Sequence, residues 1–84
     1  MNFSGKRVLI TGGSRGIGKA CAEAFAKRGA KVAINFVHNA EAAQKTLDGL
    51  DGEGHTLVQT DVSKPELIEK MIANTVKALG GLDI

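Results

Sequence analysis

Apolar and polar positions divide the chain into three successive strand-then-helix units. Residues 6–11 read Lys-Arg-Val-Leu-Ile-Thr, and the run Val8-Leu9-Ile10 is continuous rather than alternating. Such a run predicts a strand covered on both faces. After a glycine-rich turn, Ile17, Ala20, Cys21, Ala24 and Phe25 recur at helical spacing, with Lys19, Glu23, Lys27 and Arg28 at the polar positions. This predicts an amphipathic helix with Cys21 inside as a small core hydrophobe. Glu23 precedes Lys27 by one helical turn, the favourable order for an ion pair, and Gly29 is placed to end the helix in a left-handed conformation. Residues 32–36 form the second strand, apolar but for Asn35. Asn39 is placed to cap a second helix whose apolar face carries Ala43, Leu47 and Leu50. Asp51-Gly52-Glu53-Gly54 reads as a turn, with His55 exposed at its border, and residues 56–60 as the third strand. Ser63-Lys64-Pro65-Glu66 matches a capping box. The stripe Ile68, Met71, Ile72, Val76 and Leu79 makes a third helix that Gly80-Gly81 stops. Leu82-Asp83-Ile84 has the composition of a fourth strand's beginning.

Buried-type strands separated by helices imply right-handed crossovers and a parallel sheet. The fold class is therefore α/β, with three layers and sheet order 3-2-1, the first half of a doubly wound, Rossmann-type dinucleotide fold. Residues 1–84 read as part of one such domain, without linker or internal repeat. In the complete order 3-2-1-4 the fourth strand lies beside the first, so without it Val8, Leu9 and Ile10 form an open apolar edge.

Composition narrows the field of functions. Apolar residues make up 43% and charged residues 24% of the 84, ordinary globular usage rather than disorder. No apolar run is long enough for a membrane span, and the N-terminus lacks the pattern of a secretory signal. One cysteine excludes an internal disulfide and places the chain in a reducing compartment, read as the cytoplasm. With two histidines and no CxxC or HExxH, no metal site is expected. The net charge of +2 is scattered, and Trp and Tyr are absent, which disfavours nucleic acid as a partner.

The informative stretch is Thr11-Gly12-Gly13-Ser14-Arg15-Gly16-Ile17-Gly18. It lies between a parallel strand and a helix, where orphan backbone N–H groups and the helix dipole attract phosphate. Gly12 permits the tight turn, Gly16 a close approach of backbone to pyrophosphate, and Gly18 close helix–sheet packing. Gly13 to Lys19 also fits the opening of a Walker A loop. Ala20, however, stands where that loop needs a hydroxyl for Mg²⁺, and Lys19 lies on the polar face of the helix. The form that fits without exception is Thr-Gly-x-x-x-Gly-x-Gly.

On these residues, together with Asp61-Val62 after the third strand and Gly81-Leu82-Asp83-Ile84, the chain resembles the short-chain dehydrogenase/reductase family along its whole length. The start Asn-Phe-Ser-Gly-Lys and the loop Thr-Gly-Gly-Ser-Arg-Gly-Ile-Gly look most like the β-ketoacyl-acyl-carrier-protein reductases. The resemblance implies an oxidoreductase with a nicotinamide dinucleotide held by residues of the loop, Gly12, Gly13, Ser14, Arg15, Gly16, Ile17 and Gly18. It also implies that the Asp61 carboxylate accepts from the adenine amino group and that Val62 lies along the ring. NAD-selective relatives carry an acidic residue roughly twenty positions past the turn. Phe36 stands there, so nothing repels a 2′-phosphate. Arg15 can meet that phosphate with a forked guanidinium, and His38 falls where NADP-type relatives carry a basic residue. NADP(H) is the expected cofactor.

The family's catalytic tyrosine, lysine, serine and asparagine have no counterpart, and the chain contains no Tyr at all. It is expected to bind without reacting, as an incomplete record of a longer reductase rather than a genuine short product. The complete protein is expected to be a homo-oligomer that reduces a 3-oxoacyl thioester in fatty-acid synthesis. The alternatives are another NADP(H) reductase acting on a sugar, steroid or small ketone, a catalytically silent nucleotide-binding module, and, last, an NTPase.

Overall fold

A computed structural model describes residues 2–12 and 16–84. The elements are β1 (Arg7–Thr11), α1 (Gly16–Lys27), β2 (Lys31–Phe36), α2 (Ala40–Asp48), β3 (Thr56–Gln59) and α3 (Pro65–Leu79). The strands form one parallel sheet with β2 in the middle, Val8 beside Val32 and Ile34 beside Leu57. Their continuous apolar character follows from cover on both sides. Val8, Val32 and Ile34 pack with Ala22 and Ala26 of α1 and with Leu50 after α2. Ala33 and Val58 pack with Met71 and Leu79 of α3 on the opposite face. The α/β class and the order 3-2-1 stand as the sequence predicts.

The beginning of a fourth strand is also in place. Ile84 N–H donates to Arg7 O at 3.1 Å, and Leu9 N–H donates to Ile84 O at 2.9 Å. One residue bonding to both neighbours of Val8 is the first rung of a parallel ladder. It lies on the edge of β1 away from β2. Asp83 secures this corner: its Oδ2 accepts from the Arg7 amide at 2.9 Å and from Arg7 Nε at 3.0 Å. Arg7 Nη1 donates to Gly80 O. The Arg7 side-chain bond, then its amide, hold the Asp83 carboxyl below its ordinary range. A carboxyl depressed on folding adds stability above its unfolded pKa of about 3.9 and loses it as pH falls through the lower folded value. The urea midpoint of the protein should therefore exceed that of Asp83→Asn near neutral pH, and the gap should close in acid. A gap independent of pH would remove this assignment.

Two helices are rotated from their expected phase. In α1, Ala22 and Ala26 are buried, whereas Cys21 is exposed and Ile17 is 84% exposed. Cys21 is thus not a core residue. Small residues occupy both flanks of the apolar stripe, so hydrophobicity alone does not fix its centre. Ala22 and Ala26 permit closer contact with the sheet. In α3, Met71, Thr75 and Leu79 face inward, while Ile72 and Val76 are 42% and 39% exposed. Thr75 joins the core because its Oγ1 donates to Met71 O at 2.8 Å, which satisfies its one polar atom.

Three polar expectations also change. Among the described residues the only ion pair is Arg7–Asp83, so Glu23 and Lys27 remain solvated. The α3 cap is Lys64, with no side-chain cap bond, and Pro65 at the helix start sets the boundary one residue past Ser63. The Ser63 hydroxyl turns back to a charged acceptor, Asp61. His55 is half-buried rather than exposed. Its Nδ1 accepts from the Val32 amide at 3.0 Å and its Nε2 donates to Asp51 O at 2.7 Å. Because β2–β3 pairing starts at Ala33 and Thr56, the imidazole takes the place of a strand carbonyl at Val32.

Candidate functional site

The carboxyl ends of the strands open onto a cleft of about 590 Å³. Thr11 contributes from the end of β1 and Gly12 from just past it, Asn35 and Phe36 from β2, and His38, Asn39 and Val62 from the segments that follow β2 and β3. The sheet thus joins three of the sequence-predicted residues, Gly12, His38 and Val62, from separate parts of the chain. Gly12 and Gly16 have φ of +68° and +66°, and a Cβ built on either would meet nothing within 4 Å. Open space therefore faces this backbone, which is what a docked pyrophosphate needs. The first turn of α1 has no acidic residue, so nothing offsets the positive end of the helix dipole. Ile17 and Lys19 are exposed and Gly18 is half-buried. Gly13, Ser14 and Arg15 lie outside the described residues.

Asn35 is the residue that pattern reading missed. It is 1% exposed, and its Nδ2 donates to Val58 O at 3.2 Å and Thr60 O at 3.1 Å. Thr60 N–H returns a bond to Phe36 O, and Gln59 Nε2 donates to Val37 O. These bonds tie the ends of β2 and β3 together and fix one side of the cleft. A lone amide in an otherwise apolar, centrally placed strand is the signal that could have revealed it. Asn39 caps α2 as expected, accepting from Ala42 N–H at 2.9 Å, and also lines the cleft.

Asp61 flanks the cleft beside Val62. Its Oδ1 accepts from the Ser63 hydroxyl at 2.6 Å and the Ser63 amide at 3.0 Å. The hydroxyl bond first, then the amide bond, hold the carboxyl below its ordinary range against a smaller opposing effect of burial. The nearby charges of Lys64 and His38 add to the lowering. Among the described residues, no cluster of three or more His, Cys, Asp or Glu could hold a metal ion, and no helix is long and apolar enough to cross a membrane.

A family model for the short chain dehydrogenases matches residues 6–84. The chain belongs to that family. Its members are oxidoreductases that bind a nicotinamide cofactor. Versicolorin reductase 1 of Aspergillus parasiticus is 45% identical over 98% of the chain and 32% of its own length. The 3-oxoacyl-acyl-carrier-protein reductase of Vibrio cholerae is 45% identical over 100% of the chain and 34% of its own length. Among solved structures, a short-chain dehydrogenase of Burkholderia cenocepacia in complex with NADP superposes with a TM-score of 0.86 at 38% identity, covering 99% of this chain and 35% of that one. The chain thus spans about a third of the length of the relatives it matches. The unobstructed backbone at Gly12 and Gly16 and the cleft that Gly12 lines leave room for the nicotinamide dinucleotide that this short-chain dehydrogenase family binds.

Proposed function

We propose that residues 1–84 form the N-terminal, dinucleotide-binding part of a Rossmann domain in an NADP(H)-dependent reductase. The observation that carries the choice of cofactor is the lining of the cleft. Phe36, 8% exposed, ends β2 where an NAD-selective site has its carboxylate, and no Asp or Glu is among the described residues that line the cleft. In this reading the backbone of Gly12, Gly13, Ser14, Gly16, Ile17 and Gly18 cradles the pyrophosphate. Val62 lies against the adenine, Asp61 accepts from its amino group, and Arg15 and His38 receive the 2′-phosphate. The bound dinucleotide supplies a hydride, while these residues bind and orient it. The chain has no Tyr to protonate a carbonyl, so residues 1–84 bind but do not react alone.

For the whole protein we assign a 3-oxoacyl thioester as substrate, a cytoplasmic location and a homo-oligomeric state. The similarity to the Vibrio cholerae enzyme supports the substrate. The equal identity of versicolorin reductase 1 favours a second reading, in which the same NADP(H) site serves a ketone outside fatty-acid synthesis. NADPH oxidation with an acetoacetyl thioester, set against a panel of cyclic ketones, separates the two.

The cofactor assignment is tested by Arg15→Ala. NADPH binding should weaken by about 1.5–3 kcal/mol, roughly 10- to 200-fold, with NADH binding nearly unchanged. Titration calorimetry with each dinucleotide reads this directly. Equal losses for both would overturn the choice of NADP(H).

A further inference from the structure

We propose that Ser63 is a positioning residue for the base of the dinucleotide: it holds one oxygen of Asp61 so that the other reads the adenine amino group. The inference rests on the cofactor reading above and adds to it a residue outside the glycine loop.

An aspartate in an open turn has two soft torsions, and either oxygen could face a ligand. Here Oδ1 takes two hydrogen bonds from one residue, 2.6 Å from the Ser63 hydroxyl and 3.0 Å from its amide. Among the described residues no hydrogen bond reaches Oδ2. The Ser63 hydroxyl is free for this task because α3 starts at Pro65, with Lys64 as its cap. The next residue along from Asp61, Val62, lines the cleft.

The chemistry of the second oxygen then sets a preference. An ionised carboxylate only accepts hydrogen bonds. Held in one orientation, Oδ2 rewards an exocyclic NH₂ and repels a carbonyl at the same ring position. The site should therefore distinguish adenine from hypoxanthine. Ser63 sharpens that distinction by removing the torsional freedom that would let Asp61 turn away.

The experiment compares binding of NADPH with that of its deamino analogue, the reduced hypoxanthine dinucleotide phosphate, to the protein and to Ser63→Ala and Ser63→Thr. The protein should prefer NADPH by about tenfold or more. Ser63→Ala should lose most of that preference, with NADPH weakened several-fold and the analogue nearly unchanged. Ser63→Thr, which keeps the hydroxyl, should restore it. Equal weakening of both ligands by Ser63→Ala would show a merely structural residue, and an undiminished preference would show no role; either result overturns the proposal. If the unaltered protein binds both ligands equally, Asp61 does not read the base and the proposal falls with it. Binding of neither would sink the cofactor reading itself. Ser63 is exposed, so the alanine variant is expected to fold, and its circular dichroism checks this.

Discussion

Gly12→Val should weaken NADPH and NADH alike by at least about a hundredfold, close to 3 kcal/mol. Two costs combine. At φ of +68° the backbone occupies the left-handed region, which a residue with a Cβ enters at about 1–2 kcal/mol and a β-branched residue only with greater strain. The new side chain would also stand in space that is otherwise empty to 4 Å, on the face where the pyrophosphate is assigned. The first cost lowers stability and the second lowers affinity. Gly80 separates them. It closes α3 at φ of +83°, a Cβ there also meets nothing within 4 Å, and it is not among the residues lining the cleft. Gly12→Val and Gly80→Val should therefore cost comparable stability in urea unfolding, but only the first should abolish cofactor binding. If both variants bind dinucleotide equally well, the phosphate site lies elsewhere.

Asn35→Asp should destabilise the protein by about 3–5 kcal/mol at neutral pH, although the two side chains have nearly the same shape. The amide places two donors on the carbonyls of Val58 and Thr60 inside a strand that solvent scarcely reaches. A carboxylate there removes both donors and sets a negative charge against two oxygens. Burial raises the pKa of the introduced acid, so the folded state retains its proton to higher pH than the unfolded chain does. Stability of this variant should then recover as pH falls toward the carboxylate range, the reverse of the trend expected for Asp83. Asn35→Leu, which loses the bonds without adding charge, should cost less at neutral pH and show no such recovery. Guanidinium unfolding across pH reads both slopes. A deficit below 1 kcal/mol for Asn35→Asp would show that the Asn35 bonds do not hold the ends of β2 and β3.

The same residue shows where pattern reading reaches its limit. The run of apolar residues from Val32 to Phe36 predicts a strand buried on both sides, and the strand is buried on both sides. What an interrupting amide does inside such a strand depends on which carbonyls the neighbouring strand presents. That follows from the pairing of Asn35 with Val58, a register set by the packing of two helices onto the sheet. His55 is a parallel case. Its position beside a glycine-rich turn suggests solvent, yet the late start of β3 leaves the Val32 amide in need of an acceptor that the imidazole supplies. Cys21 differs for another reason. Where alanine, cysteine and glycine crowd a helix, the apolar stripe is broad, and close packing selects its centre by side-chain volume.

By itself the sequence determined the number, type and order of the elements, because continuous apolar runs, helical spacing and glycine stops are local properties of the chain. It also singled out the turn proposed to hold phosphate, since the glycines at 12, 13, 16 and 18 fall within one short stretch of the chain. Only the tertiary structure decided which faces of α1 and α3 turn inward and which hydrogen bonds Asn35, His55 and Ser63 make. It alone brought Gly12, His38 and Val62 around one cleft. A helix phase or a hydrogen-bond partner depends on the distance between atoms remote in the chain, and that distance exists only once the parallel register and the packing of both layers are fixed.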